Sequence, residues 1–346
     1  MNLNIEIPDI ANPALENRIC QRWNSLTKPP GSLGRLESLV VEYGLMQGSD
    51  QPRIDRKVLV LFCADHGVTE EGISAFPREV TAQMVKNFLT GGAAISVLCR
   101  RLGIESVVVD AGVDGPVEPG ALDYKCGQGT ANFARRPALT KTQAGEALRN
   151  GISLAREVSQ RADIAAVGEM GIGNTTSASA LLCALTGCLP SDAAGAGTGL
   201  DAPRISHKAN IIAGALGLHE AAVESKDPMA ILSAFGGFEI ATMVGFLLGA
   251  ASRRLPVMID GFICCAAVLV ARSFDPAVMN YLIASHRSAE SAHDRLLAAL
   301  KMKPLLDLEM RLGEGTGAAL AISLLESAVA LYSQMATFEQ VGVTRG

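Results

Sequence analysis

Short continuous apolar runs alternate along the chain with longer amphipathic stretches. Residues 57–63 (Lys-Val-Leu-Val-Leu-Phe-Cys) carry no polar interruption after the first position. A run of that length bounded by polar residues predicts a parallel strand buried on both faces. Residues 106–110, 164–167, 230–235, 256–259 and 281–285 repeat the pattern, and the amphipathic stretch 140–161 predicts a crossover helix. Before this alternation, residues 14–46 read as two helices, with Pro29-Pro30-Gly31 stopping the first and Ser32 capping the second. After it, the small-residue stretch 318–333 predicts a last helix. The expected fold is α/β: a parallel Rossmann-like sheet flanked by helices, with a small all-helical domain built from both chain ends. The expected boundaries are 1–49 and 309–346 for the helical part and 50–308 for a large α/β nucleotide-binding domain.

The candidate chemistry lies where the apolar runs end, the side on which open α/β sheets bind ligands. After the first run come Asp65 and His66, readable as site residues or as a hydrogen-bonded turn. The run 164–167 enters Gly168-Glu169-Met170-Gly171-Ile172-Gly173-Asn174-Thr175-Thr176-Ser177, a strand, glycine loop and helix start that can offer backbone N–H groups to an anion. A second cluster holds Gly197, Thr198 and Gly199, followed by a helix with Lys208. Neither cluster fits the dinucleotide fingerprint, because the sixth position is Thr176 in one and Leu200 in the other, and no Gly-Lys-Ser/Thr occurs. A mononucleotide phosphate suits them better than NAD. In Leu312-Gly313-Glu314-Gly315-Thr316-Gly317 a carboxylate stands between glycines, with Thr316 as N-cap of the last helix. Glu314 reads as a capping group or as a catalytic one; the glycines, which let a ligand approach the backbone, favour catalysis.

Three weaker signals remain. Gln83 and Asn87 share a helix face by their spacing and read as a heterocycle-binding pair or as solvent-exposed side chains. Lys28 reads as a solvated loop lysine, with phosphate contact as the alternative. His286 and His293, seven apart, would lie near one face of a helix, but no third ligand stands at metal-binding spacing.

Composition narrows the class. The net charge is −5 and no basic patch is interleaved with aromatics, which argues against nucleic-acid binding. The eight cysteines lie mostly in apolar stretches without CxxC pairs, as buried free thiols in a reducing compartment would. The longest apolar run, 243–251, is broken by glycine and too short to span a membrane, and residues 1–9 lack a secretory pattern. A cytoplasmic protein is expected, with small-molecule partners, no nucleic acid and no membrane.

Taken together, Lys-Pro-Pro-Gly-Ser-Leu-Gly at 28–34, Ala-Asp-His-Gly at 64–67, the run 72–81, Gly-Glu-Met-Gly-Ile-Gly-Asn-Thr-Thr at 168–176, Gly-Gly-Phe-Glu at 236–239, Asp-Gly-Phe-Ile at 260–263 and Leu-Gly-Glu-Gly-Thr-Gly at 312–317 make the chain resemble the nicotinate-nucleotide:dimethylbenzimidazole phosphoribosyltransferase family over essentially its whole length. The resemblance implies transfer of phosphoribose from nicotinate mononucleotide to 5,6-dimethylbenzimidazole during cobalamin assembly, by a homodimer with no cofactor and no metal. It implies Glu314 as general base, Glu169 as a ribose contact or second acid, and Gly171, Gly173, Asn174, Thr175, Thr176, Ser177, Gly197, Thr198, Gly199 and Lys208 around the phosphate. Ser74, Phe76, Gln83, Asp65 and His66 are then expected near the incoming base, and Leu312, Gly313, Gly315 and Thr316 on the nicotinate side. Two rivals remain: a nicotinamide-dependent dehydrogenase, which the failed fingerprint disfavours, and a non-catalytic nucleotide-binding protein, which leaves Glu314 without a task.

Overall fold

The computed structural model describes residues 5–344 with the exception of Thr198. Helices α1 (Pro13–Ser25) and α2 (Arg35–Gln47) precede β1 (Lys57–Ala64), and α3 (Val80–Thr90) and α4 (Ala94–Leu102) return the chain to β2 (Glu105–Gly112). The short β3 (Leu122–Asp123) follows, and α5 (Lys141–Ser159) crosses to β4 (Ile164–Met170). Between β4 and the next strand run α6 (Asn174–Thr186), α7 (Pro190–Ala193), α8 (Ala202–Leu218), α9 (Glu220–Ser225), α10 (Pro228–Phe235) and α11 (Phe238–Ser252). Then come β5 (Val257–Ile259), α12 (Phe262–Phe274), β6 (Leu282–Ala284), β7 (His286–Arg287), α13 (His293–Leu300), β8 (Leu306–Asp307), α14 (Thr316–Gln334) and α15 (Phe338–Val341).

Six strands form one all-parallel sheet in the order β3-β2-β1-β4-β5-β6, and β7 pairs with β8 alone. Every residue of β1 is buried, which is why its sequence reads as a continuous apolar run. The chain winds outward from β1 through β2 to β3, then restarts at β4 on the other side of β1 and winds outward the other way. The connections therefore diverge at the carboxyl ends of β1 and β4 and leave a crevice there. One expected strand is corrected: residues 230–235 are helical, within α10. Pro228 at the first helical position and the Asp227 side chain, which accepts from the Met229 N–H, start a helix, and its near-continuous burial removes the amphipathic period that would have revealed it.

The two chain ends pack together. Trp23 of α1 meets Tyr332 of α14 edge-on at 5.1 Å, Leu26 bridges to Thr337, and Lys57 at the start of β1 pairs with Glu326 at 2.8 Å. Helix α14 also packs on α4, β4 and β5, so its first half belongs against the sheet. It is long and apolar enough to cross a membrane by length and composition, but more than half of it is buried in the protein core. Two local expectations change. Lys28 is not solvated: it is buried, ion-paired with Glu37 at 2.7 Å and set over the Trp23 ring. The N-cap of α2 is Gly34 rather than Ser32, and the Glu37 carboxylate instead accepts from the Leu33 N–H.

Candidate active site

Gly313, Glu314 and Gly315 all have positive φ, at +79°, +61° and +83°. Glycine adopts that region freely, whereas Glu314 occupies it at a cost of about 1–2 kcal/mol. Backbone strain of this kind persists only where the surroundings hold it. Asp260, directly after β5, supplies the restraint: its carboxylate accepts the Gly315 N–H at 3.0 Å and the Ala318 N–H at 3.1 Å. A strand-end acid thus caps α14 across the fold. The N-cap position is Gly315, and the expected Thr316 cap is corrected: Thr316 is the first helical residue, its hydroxyl donating to the Gly313 carbonyl at 2.8 Å.

Beside this turn stands Glu169, near the end of β4, with the Asn174 side-chain amide donating to its Oε2. Gly313 lies so close that an added Cβ would come within 2.5 Å of Glu169 Oε1. Both carboxylates are removed from bulk solvent, and burial raises both pKa values. Glu314 is pushed up to about 7 by desolvation and then by the Asp260 charge, against a hydrogen bond from the Ile95 backbone N–H. Glu169 rises to about 8, again mainly by desolvation, with Asn174 opposing and Asp260, Glu239 and Glu314 adding to the rise. At neutral pH, then, Glu169 holds a proton while Glu314 exchanges one, an arrangement suited to acid–base work. Among the described residues Glu314 Oε2 has no hydrogen-bond partner. An unsatisfied buried carboxylate oxygen can accept a proton or an N–H from a bound molecule.

The two glutamates open on a cavity of about 720 Å³ at the carboxyl ends of β4 and β5. Phe76, Val80, Met84, Ile172, Phe262, Ile263 and Leu312 give it apolar walls. Asn174, Thr175, Gly197, His286, Ser288, Glu290 and Arg311 bring polar groups to the same space. A largely apolar space with few converging polar groups suits a flat heterocycle joined to a polar tail.

The expected site residues divide into three groups. Glu169, Glu314, Gly171, Asn174, Thr175, Gly197, Phe76, Leu312 and Gly313 line the cavity. Lys208, Gly173, Thr176, Ser177, Gly315 and Thr316 lie behind that lining: Lys208 donates to Thr175 Oγ1 at 2.8 Å, and the Ser177 hydroxyl donates to the Phe235 carbonyl. Asp65, His66, Ser74, Gln83 and Gly199 are not part of the wall. His66 is fully buried and bonded to Glu239 at 2.6 Å, Asp65 accepts the Asp114 N–H, and Gln83 is exposed. Thr198 falls outside the described residues. His286 and His293 do not share a helix face: His286 sits on β7, where its ring lines the cavity, and His293 begins α13 and accepts the Ser288 N–H. Among the described residues no group of three or more His, Cys, Asp or Glu is placed to hold a metal ion.

Sequence reasoning missed Asp260, Glu290, His286 and Arg311 as residues of this cavity and its supports. Asp260 was visible as an acid at a strand end. Nothing local marked Glu290, which reaches the glycine cluster 93 residues earlier only through the fold.

A family profile described as Phosphoribosyltransferase matches residues 9–343. The chain is 47% identical over 327 residues to the nicotinate-nucleotide–dimethylbenzimidazole phosphoribosyltransferase of Chloroflexus aggregans, covering 94% of this chain and 92% of that one. It is 49% identical to the Pseudomonas putida KT2440 enzyme of the same name, covering 93% and 92%. The solved structure of the corresponding Thermus thermophilus enzyme superposes with a TM-score of 0.90 at 40% identity, covering 97% of this chain and 100% of that one. The paired glutamates at the sheet crevice, the full-length profile match and the solved fold agree, and the chain belongs to the nicotinate-nucleotide–dimethylbenzimidazole phosphoribosyltransferase family.

Proposed function

We propose that the protein transfers the phosphoribosyl group of nicotinate mononucleotide to 5,6-dimethylbenzimidazole, giving α-ribazole 5′-phosphate and nicotinate for the nucleotide loop of cobalamin. The observation that carries this reading is the strained, partly unsatisfied Glu314 carboxylate, with its pKa raised to about 7, in an apolar-walled cavity beside a second glutamate.

One ring nitrogen of the benzimidazole attacks C1′ of the ribose while the C1′–N bond to nicotinate breaks. The bonding pair returns to the pyridine nitrogen, cancels its positive charge and needs no proton, so no acid is required for the leaving group. The attacking ring becomes cationic, and its other N–H passes a proton to Glu314. Glu314 also stabilises the developing cation electrostatically. Direct displacement turns the β-nucleotide into an α-product without a covalent glycosyl-enzyme. Glu169, protonated at neutral pH, can donate to a ribose oxygen, and Asn174 fixes its orientation. The phosphate is assigned to the Gly171–Ser177 loop and Gly197, with Lys208 supplying positive charge behind Thr175. Phe76, Val80 and Met84 offer the flat apolar surface for the benzimidazole.

Homodimer formation belongs to this reading and rests on the family resemblance; a cytoplasmic setting belongs to it as well and rests on the unpaired cysteines. The test mixes purified protein with nicotinate mononucleotide and 5,6-dimethylbenzimidazole, with no metal added, and follows nicotinate by chromatography. Release that requires both substrates is expected. Absence of release would overturn the substrate pair.

A further inference from the structure

Glu290 is an acid in a place assigned to an anion. Its carboxylate oxygens accept the Gly197 N–H at 3.3 and 3.2 Å, and Glu290 lines the cavity although it is buried. It presses against Gly195, where an added Cβ would lie 1.8 Å from Oε1, so that glycine is the residue that leaves it room. Fully buried Lys208 stands on the same side: its ammonium donates to Thr175 Oγ1 at 2.8 Å and lies 3.4 Å from the Gly195 carbonyl oxygen. Burial lowers its pKa to about 8, and Glu290 is the charge that opposes the fall. A backbone N–H and a buried ammonium are the donors a phosphate uses. In this structure a side-chain carboxylate holds the first and is the charge acting on the second.

We infer that Glu290 is an internal placeholder for the substrate phosphate, and that phosphate binding displaces its carboxylate from the Gly197 N–H. The inference rests on the phosphate assignment above. Two consequences follow from charge. Without a ligand the carboxylate keeps the glycine loop bonded and adds a favourable field at the buried lysine. With a ligand, each phosphate must displace a bonded anion and tolerate its repulsion, so Glu290 weakens binding of the phosphorylated substrate. It has no such effect on the same nucleoside without phosphate. Glu290 thereby sets how much of the substrate's affinity comes from its phosphate, and eases release of a phosphorylated product.

The test is calorimetric titration of wild type, E290Q and E290D with nicotinate mononucleotide, nicotinate riboside and inorganic phosphate. Thermal melts alongside establish that each variant is folded. E290Q keeps the shape and loses the charge. It should bind nicotinate mononucleotide and inorganic phosphate on the order of tenfold more tightly, the scale of one displaced charge-assisted hydrogen bond. Nicotinate riboside affinity should be unchanged, and E290D, which retains the charge, should stay near wild type. If E290Q binds the mononucleotide no more tightly than wild type, or loses affinity for nucleotide and nucleoside alike, Glu290 is a structural or ribose-binding group and the inference falls while the phosphate assignment stands. If wild type itself fails to prefer the mononucleotide to the riboside, the phosphate assignment is wrong and the inference falls with it. Should E290Q not fold, E290A, which also removes the charge, decides: tighter mononucleotide with unchanged riboside supports the inference, and any other pattern overturns it.

Discussion

Replacing Glu314 by glutamine tests chemistry and stability at once. The substitution keeps the shape of the side chain in its left-handed turn, where φ is +61°, so the Asp260 bonds to Gly315 and Ala318 should survive. It removes the group placed to take the benzimidazole proton, and kcat should fall about 10²- to 10⁴-fold. Because the free base is the active form, wild-type turnover should fall as pH drops through about 7, where Glu314 takes up a proton, and this limb should be absent in the variant. Stability should move the other way. A carboxyl whose folded pKa lies above its unfolded value stabilises the fold fully only below the unfolded value, and that contribution is lost as pH rises through the folded one. The rise from 4.5 to about 7 corresponds to about 3.4 kcal/mol. Solvent in the open cavity screens the group and reduces this to about 1–2 kcal/mol. E314Q should therefore melt above wild type at about pH 8, with the gap closing towards about pH 5. Stopped assays of nicotinate release across pH, with paired calorimetric melts, provide both readouts. A variant keeping more than about a tenth of wild-type turnover, or a wild-type rate flat through neutral pH, would falsify the base assignment.

Three other substitutions probe the supports of the site. D260N weakens the cap of α14 and removes the charge that helps raise the Glu314 pKa, so it should cost about 1 kcal/mol in denaturant unfolding and move the acid limb of the pH–rate profile to lower pH. G313A forces alanine to φ +79° with its Cβ 2.5 Å from Glu169 Oε1; a loss of roughly 1–2 kcal/mol and a drop in kcat larger than any change in KM are expected, and wild-type kinetics would refute the close approach. G151A lies far from the chemistry, where α5 and α11 touch backbone to backbone. Its Cβ would meet the Thr242 carbonyl oxygen at 1.9 Å, so it should destabilise by about 2–3 kcal/mol while the folded fraction keeps wild-type kcat.

The fold class is legible along the chain, because a strand buried on both faces must be apolar throughout and residues 58–63 and 164–167 are. The sequence marked Glu314 and Glu169 because glycines flank them where strands end and helices begin. It misread residues 230–235, since a helix buried almost all round carries no period to separate it from a buried strand. Tertiary structure decided what distance in sequence hides. Asp260 caps a helix 55 residues later, Lys28 is drawn inside by Glu37 and Trp23, and Glu290 meets Gly197 across the cavity wall. It also set the two carboxyl pKa values apart from ordinary acids, because desolvation depends on which surfaces close over a group, and the local sequence does not encode that. Periodicity and punctuation are local properties and can be read along the chain; capping, burial and charge compensation arise between segments, and exist only once the sheet has brought those segments together.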